Sequence, residues 1–294
     1  MDLQSFIGKY KERVDKGIAD ELQIRLEEVR EISPHLVPII EAMQELSVGG
    51  KRVRAMLVYL GCELAGSEVS DDVLKVGVMM EIFHLGLLIQ DDFMDNDVIR
   101  RGVKTLIARY PDRHVGDFVS MLAGDYTFGW CIERLSSLNF DSKTLLRMIR
   151  VWGHYFTRVG YGQALDGLAI ADSATILQIL ELKSGEYSCV MPLVMGAIVG
   201  GADDKLVDDL KQYGMELGWV FQLRDDWLAE YGDSDKTGKP VGNDSREGKH
   251  TYATMHGKAA TEQEIENHLE KGLELSGDNK MLQELLTWMA TREN

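Results

Sequence analysis

The sequence predicts an all-α fold, and three observations lead to that prediction. Only five prolines occur in 294 residues, so long stretches are free to form helix. Apolar residues recur at three- to four-residue spacing along most of the chain, whereas the alternation typical of a half-buried strand is scarce. No low-complexity linker or internal repeat divides the sequence, so we expect a single domain covering residues 1–294.

The helices can be assigned in order from this periodicity. The segment from Val73 to Leu88 is apolar nearly all round, which is typical of a helix buried on most sides. Breaks are predicted at glycine-rich or proline-containing positions: 47–50, 66–67, 101–102, 110–111, 200–201 and 232–248. The segments with helical periodicity are 36–43, 53–64, 73–88, 145–156, 176–182, 206–228, 265–273 and 282–289.

Charge, hydropathy and cysteine usage exclude several classes of protein. A net charge of −16 argues against sequence-independent binding to nucleic acid or to anionic lipid. No window approaches the roughly 18 apolar residues that span a bilayer, so we expect no stable membrane insertion, and the first residues do not resemble a signal peptide. The cysteines (Cys62, Cys131 and Cys189) are odd in number and far apart, which favours buried thiols in a reducing cytoplasm.

An acidic cluster follows one buried-looking segment. After the apolar run LGLLI come the residues QDDFMDND, in which Asp91 and Asp95 are spaced four apart. On a helix they lie on one face, one turn apart, with Asp92 beside them. A hard divalent cation would relieve their repulsion, and Mg²⁺ commonly shares one or two carboxylates with substrate phosphates. On spacing alone, a solvated acidic helix end is the alternative.

A second acidic pair strengthens the metal interpretation. Asp225 and Asp226 also fall at the end of an amphipathic segment. Two acidic pairs facing one cavity would hold a polyphosphate through bridging metal ions. Three later lysines are further cationic partners in this hypothesis: Lys236, Lys239 and Lys249.

Basic residues lie beside the acidic ones in the sequence. The stretch GGKRVR begins a predicted helix, where backbone amides and the helix dipole favour an anion beside Lys51, Arg52 and Arg54. Arg100 and Arg101 follow the first acidic cluster, and guanidinium groups bind phosphate bidentately. Any one of these residues alone would be interpreted as an ordinary surface charge. Together they predict an anion-binding site.

The order of these motifs resembles one enzyme family. GGKRVR, EIFHLGLLIQDDFMD, RRG, GQ followed by Asp166, KSGEY, FQLRDD and TGKPVGND occur between about Gly49 and Thr251. This series is similar to that of the trans-isoprenyl diphosphate synthases, or polyprenyl synthetases. The resemblance implies a helical bundle around a central active-site cavity, and usually a homodimer. It also implies a prenyltransferase that joins isopentenyl diphosphate to an allylic diphosphate, giving a longer all-trans prenyl diphosphate.

The same resemblance assigns the metal ligands. It implies three Mg²⁺ ions, two of them held by Asp91 and Asp95 and the third by Asp225, with Asp92 and Asp226 assisting. In the family's reaction these ions hold the leaving diphosphate of the allylic substrate. The alkene of isopentenyl diphosphate then attacks the allylic cation, and a proton is lost.

The substrate-binding residues are likewise implied by the resemblance. Arg100, Lys183 and Lys239 are expected to bind the allylic diphosphate. Ser184 and Gln222 are expected to line the path of the cation. Isopentenyl diphosphate is expected to contact Gly50, Lys51, Arg54, His84 and Arg101. The residues expected to take part directly in catalysis are Asp91, Asp92, Lys183, Gln222 and Asp225.

Two residues depart from the family pattern. Ala229 replaces the aspartate that many members have in the second acidic motif, which we expect to weaken support for the third metal ion. Ser184 stands where threonine is common and keeps the hydroxyl group. We expect activity to survive both changes.

Product length is predicted from residues before the first acidic cluster. Gly86 and Leu87 are the fifth and fourth residues before Asp91, where bulky aromatic residues give short products in the family. Gly86 is expected to leave an opening, with Phe83 as the next obstruction. Geranylgeranyl diphosphate is therefore the leading candidate product, and farnesyl or longer-chain diphosphates are the alternatives.

Three other functions remain open from the sequence. A non-catalytic partner subunit has Ala229 as its support, although such subunits usually lose several motif residues. A terpene cyclase with the same fold would have no need of the GGKR and RRG anion-binding residues. A non-enzymatic helical interaction protein would have no use for either set.

Overall fold

The computed structural model describes residues 2–233, 242 and 249–293. These residues are helical almost throughout, which confirms the all-α prediction. In chain order the α-helices are α1 (Leu3–Ile32), α2 (Val37–Ser47), α3 (Val53–Leu64), α4 (Asp71–Asp95), α5 (Arg113–Ser136), α6 (Ser142–Gly167), α7 (Ser173–Ile179), α8 (Met191–Val199), α9 (Asp204–Tyr231), α10 (Tyr252–His256), α11 (Lys258–Ser276) and α12 (Lys280–Thr291).

Shorter elements interrupt this series. In the described part of the chain, 3₁₀ turns occur at Pro34–Leu36 and Ile107–Arg109, and a π-helical segment, Leu180–Val190, joins α7 to α8. The strands β1 (Ile99–Arg100) and β2 (Val103–Lys104) form an antiparallel hairpin that the sequence analysis did not predict. Within the described ranges, none of the helices has the length and apolar character required to cross a membrane.

Backbone contacts divide the chain into two compact units. One comprises Ile7–Tyr59 and Glu68–Leu145, and we call it the acidic-basic unit because it carries the first acidic cluster and the arginines. The other comprises Met1–Phe6, Leu60–Ser67 and Leu146–Asn294, and we call it the C-terminal unit. That the whole chain is one domain stays a prediction.

In the acidic-basic unit, α4 packs against α5 and places the first acidic cluster at its own end. Ser70 caps the start of α4 by accepting a hydrogen bond from the backbone amide of Val73. Asn96 ends the helix in the left-handed conformation, with φ of 60°, which asparagine tolerates better than most residues. The helix therefore stops directly after Asp95.

In the C-terminal unit, α9 packs against the π-helical segment and against α11. The closest approach is at two glycines, since a Cβ added to Gly218 would lie 2.3 Å from the Cα of Gly185. Only glycine at position 218 allows the backbones to come so near. At the other end of the unit, the Tyr213 hydroxyl donates to the carbonyl of Leu282 at 2.8 Å, which fixes α12 on α9.

Candidate active site

The first acidic motif, Asp91 to Asp95, forms the last turn of α4. Asp92 is buried, Asp91 is half-buried and Asp95 is exposed. Arg100 on β1 faces this turn. Its Nε donates to Asp92 Oδ1 at 2.5 Å, and its Nη2 lies 3.5 Å from Asp91 Oδ2. The structure therefore brings a predicted diphosphate ligand, Arg100, into contact with Asp91, a predicted metal ligand, and with Asp92, a predicted assisting carboxylate.

The protonation of Asp92 reflects its burial. Burial raises the pKa of Asp92 from 3.8 to about 6, although the positive charge of Arg100 opposes the shift. The second carboxylate oxygen, Oδ2, is buried and has no hydrogen-bond partner in the described part of the chain. A buried carboxylate oxygen without a donor is an open position for a cation or for a water molecule bound to one.

The basic loop, Gly49 to Arg54, precedes and begins α3. Gly49 and Gly50 have φ of 76° and 108°, and glycine adopts these values without strain. Arg101 Nη1 donates to the carbonyl of Gly49 at 3.2 Å, so the hairpin and the loop are in contact. Lys51 is exposed in this loop and Arg54 is half-buried.

One backbone amide in the first turn of α3 already has a hydrogen-bond partner. The amide of Ala55, in the first turn of α3, donates to Glu81 Oε1 at 3.1 Å. Glu81 is a buried carboxylate on α4, and it lies 3.7 Å from Arg52 Nη1. The start of α3 is thus capped from a different helix.

His84 lies beside a concentration of positive charge. Burial lowers the pKa of His84 well below its ordinary value of 6.5, so the ring is neutral at pH 7. Four arginine charges act in the same direction: Arg54, Arg101, Arg100 and Arg52. We call these four residues the arginine cluster. His84, Arg54 and Arg101, three predicted ligands of isopentenyl diphosphate, are thus electrostatic neighbours, while Arg52 and Arg100 are paired with carboxylates.

The opening expected at Gly86 is filled, which corrects the sequence-based interpretation. A Cβ on Gly86 would lie 1.9 Å from Thr127 Oγ1, because α5 packs directly over this glycine. Phe83 is fully buried and packs edge-on against Phe128, with ring centroids 5.4 Å apart. Leu87 is half-buried one turn before Asp91. A role of these residues in product length stays a prediction.

In the C-terminal unit, the π-helical segment presents Lys183 and Ser184. Lys183 Nζ pairs with Asp166 Oδ2 at 2.6 Å. Gly162 on α6 lies against the same point, since a Cβ there would be 2.7 Å from the Lys183 backbone nitrogen. The GQ and KSGEY motifs of the sequence are therefore neighbours in the fold.

A chain of hydrogen bonds joins the π-helical segment to the second acidic motif, Asp225 and Asp226. Ser184 Oγ donates to Gln222 Oε1 at 2.6 Å, and Gln222 Nε2 donates to Asp226 Oδ1 at 2.8 Å. The backbone amide of Tyr252 donates to the other oxygen of Asp226 at 3.3 Å. Asp226 is therefore a buried acceptor that orients Gln222.

Asp225 has a partner that the sequence analysis missed. Arg292, directly after α12, places Nη2 2.6 Å from Asp225 Oδ1. No motif marks this arginine, which sits among the last residues of the chain. Lys239, predicted to bind the allylic diphosphate, lies outside the described residues.

The donor set suits a hard cation that binds through few protein ligands. Within residues 2–233, 242 and 249–293, no three side chains of His, Cys, Asp or Glu converge as a ready-made metal site. Mg²⁺ usually takes one or two carboxylates and completes its shell with water and substrate phosphate. In the acidic-basic unit, Asp91 and Asp95 are solvent-accessible carboxylates of that kind, and the buried Asp92 Oδ2 lies on the same turn. In the C-terminal unit, Asp225 is a half-exposed carboxylate.

These features define a class: a helical protein with carboxylates suited to Mg²⁺ and arginines suited to phosphate. Comparison with known proteins identifies the family. The polyprenyl synthetase family model matches residues 37–287, and the chain belongs to this family, as the motifs predicted.

Individual relatives agree with this assignment. The chain is 31% identical to the short chain isoprenyl diphosphate synthase of Methanothermobacter thermautotrophicus, over 97% of this chain and 84% of that protein. It is 30% identical to the geranylgeranyl diphosphate synthase of Saccharolobus solfataricus, over 86% and 74%. The fold is similar to that of a geranylgeranyl pyrophosphate synthase from Corynebacterium glutamicum complexed with isoprenyl diphosphate and magnesium. That structure has a TM-score of 0.86 and 26% identity, covering 99% of this chain and 100% of that one.

Proposed function

We propose that the protein is a magnesium-dependent prenyltransferase that condenses isopentenyl diphosphate with an allylic diphosphate. The products are a longer all-trans prenyl diphosphate and diphosphate. The observation that carries the proposal is that this member of the polyprenyl synthetase family has both acidic motifs together with the arginine cluster around His84.

The arginine cluster supports binding of isopentenyl diphosphate. Burial and mutual repulsion lower the pKa of Arg101, with Arg52 and Arg100 contributing positive charge. A diphosphate bound there would remove that repulsion and accept several charge-assisted hydrogen bonds. Because His84 is neutral, it contributes a hydrogen bond without adding to the positive charge.

Asp91, Asp95 and Asp225 are the residues that would hold magnesium. When bound, Mg²⁺ neutralises the charge that develops on the departing diphosphate. Arg100 on β1 faces the turn that carries Asp91 and Asp92, and its guanidinium, which pairs with them, is placed to bind the diphosphate if cations occupy those carboxylates. Three ions per site stay a prediction of the resemblance.

Ser184 is suited to face the allylic cation. Asp226 Oδ1 accepts a hydrogen bond from Gln222 Nε2, which turns the amide oxygen of Gln222 toward Ser184. Because the Ser184 hydroxyl donates its hydrogen bond to Gln222, the lone pairs of Oγ are available to a developing positive charge. After the alkene attacks, the released diphosphate accepts the proton that is lost.

Geranylgeranyl diphosphate is the product we propose first, with farnesyl or longer prenyl diphosphates as alternatives. Named relatives include geranylgeranyl diphosphate synthases and a geranylfarnesyl diphosphate synthase from Aeropyrum pernix, which is 31% identical over 86% of this chain and 77% of that protein. This range agrees with a product beyond farnesyl.

We further propose a cytoplasmic homodimer. Helix α5 exposes an apolar stripe that a second copy would cover: Val115, Phe118, Met121 and Ile132. The three cysteines are buried free thiols, as a reducing compartment would keep them. Size-exclusion chromatography with light scattering measures the oligomeric state, and a monomer at micromolar concentration would contradict the dimer.

The central test is product analysis. Purified protein is incubated with isopentenyl diphosphate and each of dimethylallyl, geranyl and farnesyl diphosphate, with Mg²⁺ or with EDTA. We expect Mg²⁺-dependent prenyl diphosphates, identified by mass spectrometry, and loss of activity in Asp91→Asn. Binding of the substrates without any product would instead support the partner-subunit alternative, for which Ala229 is the supporting residue.

A further inference from the structure

Arg292 is held in a buried position at the end of the last helix. Its side chain is only 6% exposed, whereas that of Asp225, its ion-pair partner, is 43% exposed. The same Nη2 atom donates to the carbonyl of Phe221 at 2.8 Å, and the guanidinium carbon lies 4.4 Å from the centre of the Phe221 ring. Arg292 thus has three contacts on one turn of α9.

A neighbouring arginine fixes the backbone at this point. Arg224 Nε donates to the carbonyl of Arg292 at 2.9 Å, and it stacks over Trp227. Burial and the charge of Arg292 lower the pKa of Arg224. A buried and a half-buried arginine are therefore held side by side at this end of the helix. Arg292 lies beyond residues 37–287, the span that the family model matches.

We infer that Arg292 is a positioning residue that competes with a divalent cation for Asp225 and so sets the metal affinity of the second acidic motif. The inference rests on the proposed function, which assigns Asp225 to metal binding. A guanidinium 2.6 Å from Oδ1 occupies the position that a directly bound cation would take, and the two positive charges repel each other.

The difference in burial between Arg292 and Asp225 decides how their ion pair separates when a cation binds. A cation reaches the half-exposed Asp225 from solvent, while Arg292 remains against Phe221, whose carbonyl and ring stay in contact with the guanidinium. Removing the guanidinium therefore releases Asp225 without leaving a buried charge unpaired. The Asp225 carboxylate then binds a cation more tightly.

The test measures Mn²⁺ binding to the full-length protein by electron paramagnetic resonance, with Asp91→Asn and Asp95→Asn in place to leave the second motif. Arg292→Gln should bind Mn²⁺ about fivefold more tightly, as expected from the loss of a half-exposed ion pair. Arg292→Lys keeps the charge and should stay within about twofold of the parent. The matched control is Arg147→Gln, which removes a similar arginine from an ion pair with the exposed Asp204.

The outcomes separate this inference from the proposed function. A tighter site in Arg292→Gln that disappears when Asp225→Asn is added supports competition. Unchanged affinity in Arg292→Gln, with a site still lost in Asp225→Asn, overturns the inference and leaves the metal role of Asp225 intact. A gain equal to that in Arg147→Gln also overturns it, because net charge alone would then explain the effect. Product formation in the unmodified protein tests the proposed function independently.

Discussion

Gly86 contacts Thr127, so the effect of Gly86→Ala on stability is predicted to depend on the residue at position 127. Replacing a helical glycine with alanine normally stabilises a helix by about 0.5–1 kcal/mol. In Gly86→Ala, however, the new methyl group would lie 1.9 Å from Thr127 Oγ1. Thr127 also cannot turn away freely, since its hydroxyl donates to the carbonyl of Gly124 at 2.7 Å.

The expected loss of stability in Gly86→Ala follows from the overlap between the new methyl group and Thr127 Oγ1. Overpacking of this kind costs about 1–3 kcal/mol, which exceeds the gain in helix propensity. We therefore expect Gly86→Ala to lower the melting temperature by about 2–6 °C. In a Thr127→Ala background the nearest atom of residue 127 is its Cβ, at 3.0 Å, and a shift of a few tenths of an ångström accommodates it. There the same substitution should be close to neutral.

Thermal unfolding followed by circular dichroism, at fixed protein concentration, measures both effects. The double-mutant cycle should give a coupling of about 1–2 kcal/mol between the two positions. Gly86→Ala that destabilises equally in both backgrounds, or that stabilises the unmodified protein, would refute direct contact between Gly86 and Thr127.

Four other changes test the site and the packing that supports it. Leu87→Phe should shorten the product by at least one isoprene unit, and mass spectrometry showing unchanged chain length would contradict a role in product length. Gln222→Glu places a second carboxylate beside the acidic motif and should lower kcat about tenfold or more, with KM little changed. Because the folded-state pKa of His84 is below 6.5, the folded protein resists protonation there. Stability should therefore fall as pH drops below 6.5, by up to about 1.4 kcal/mol per pH unit, and chemical unfolding of His84→Asn should show a shallower fall. Glu186→Gln breaks the bidentate pair with Arg158, whose hydrogen bonds are 2.5 and 2.7 Å long. It should lower the free energy of unfolding by about 1–3 kcal/mol, measured by denaturant unfolding. An unchanged midpoint would show that the pair does not contribute to stability.

Where the apolar pattern was continuous, the sequence predicted the helices well. The predicted helix at 53–64 coincides with α3, and the one at 73–88 lies inside α4. The long helix α1 was missed because its polar residues dilute the signal. Its buried residues Phe6, Tyr10, Val14 and Leu22 nevertheless recur at multiples of four, so the signal was present.

The sequence could not reveal the features that depend on a neighbouring helix. From the sequence, the missing side chain of Gly86 predicts an opening, whereas in the fold α5 occupies that space. The π-helical segment contacts α9 through the close approach of Gly185 and Gly218, which are 33 positions apart. Arg292 belongs to no motif, so only its distance to Asp225 identifies it. The acidic and basic motifs were predictable because their chemistry is local.

The capping of α3 by Glu81 has a consequence for cooperativity. A helix start is usually capped by the residue just before it, but Ala55 receives its hydrogen bond from α4. The basic loop is thereby mechanically tied to the helix that ends in Asp91 and Asp95. Any ligand that displaces α4 would also displace Glu81, and with it the Ala55 amide and Arg52, so binding at the acidic end and binding at the basic loop would be thermodynamically linked. Such linkage is reciprocal: each ligand changes the affinity for the other by the same factor.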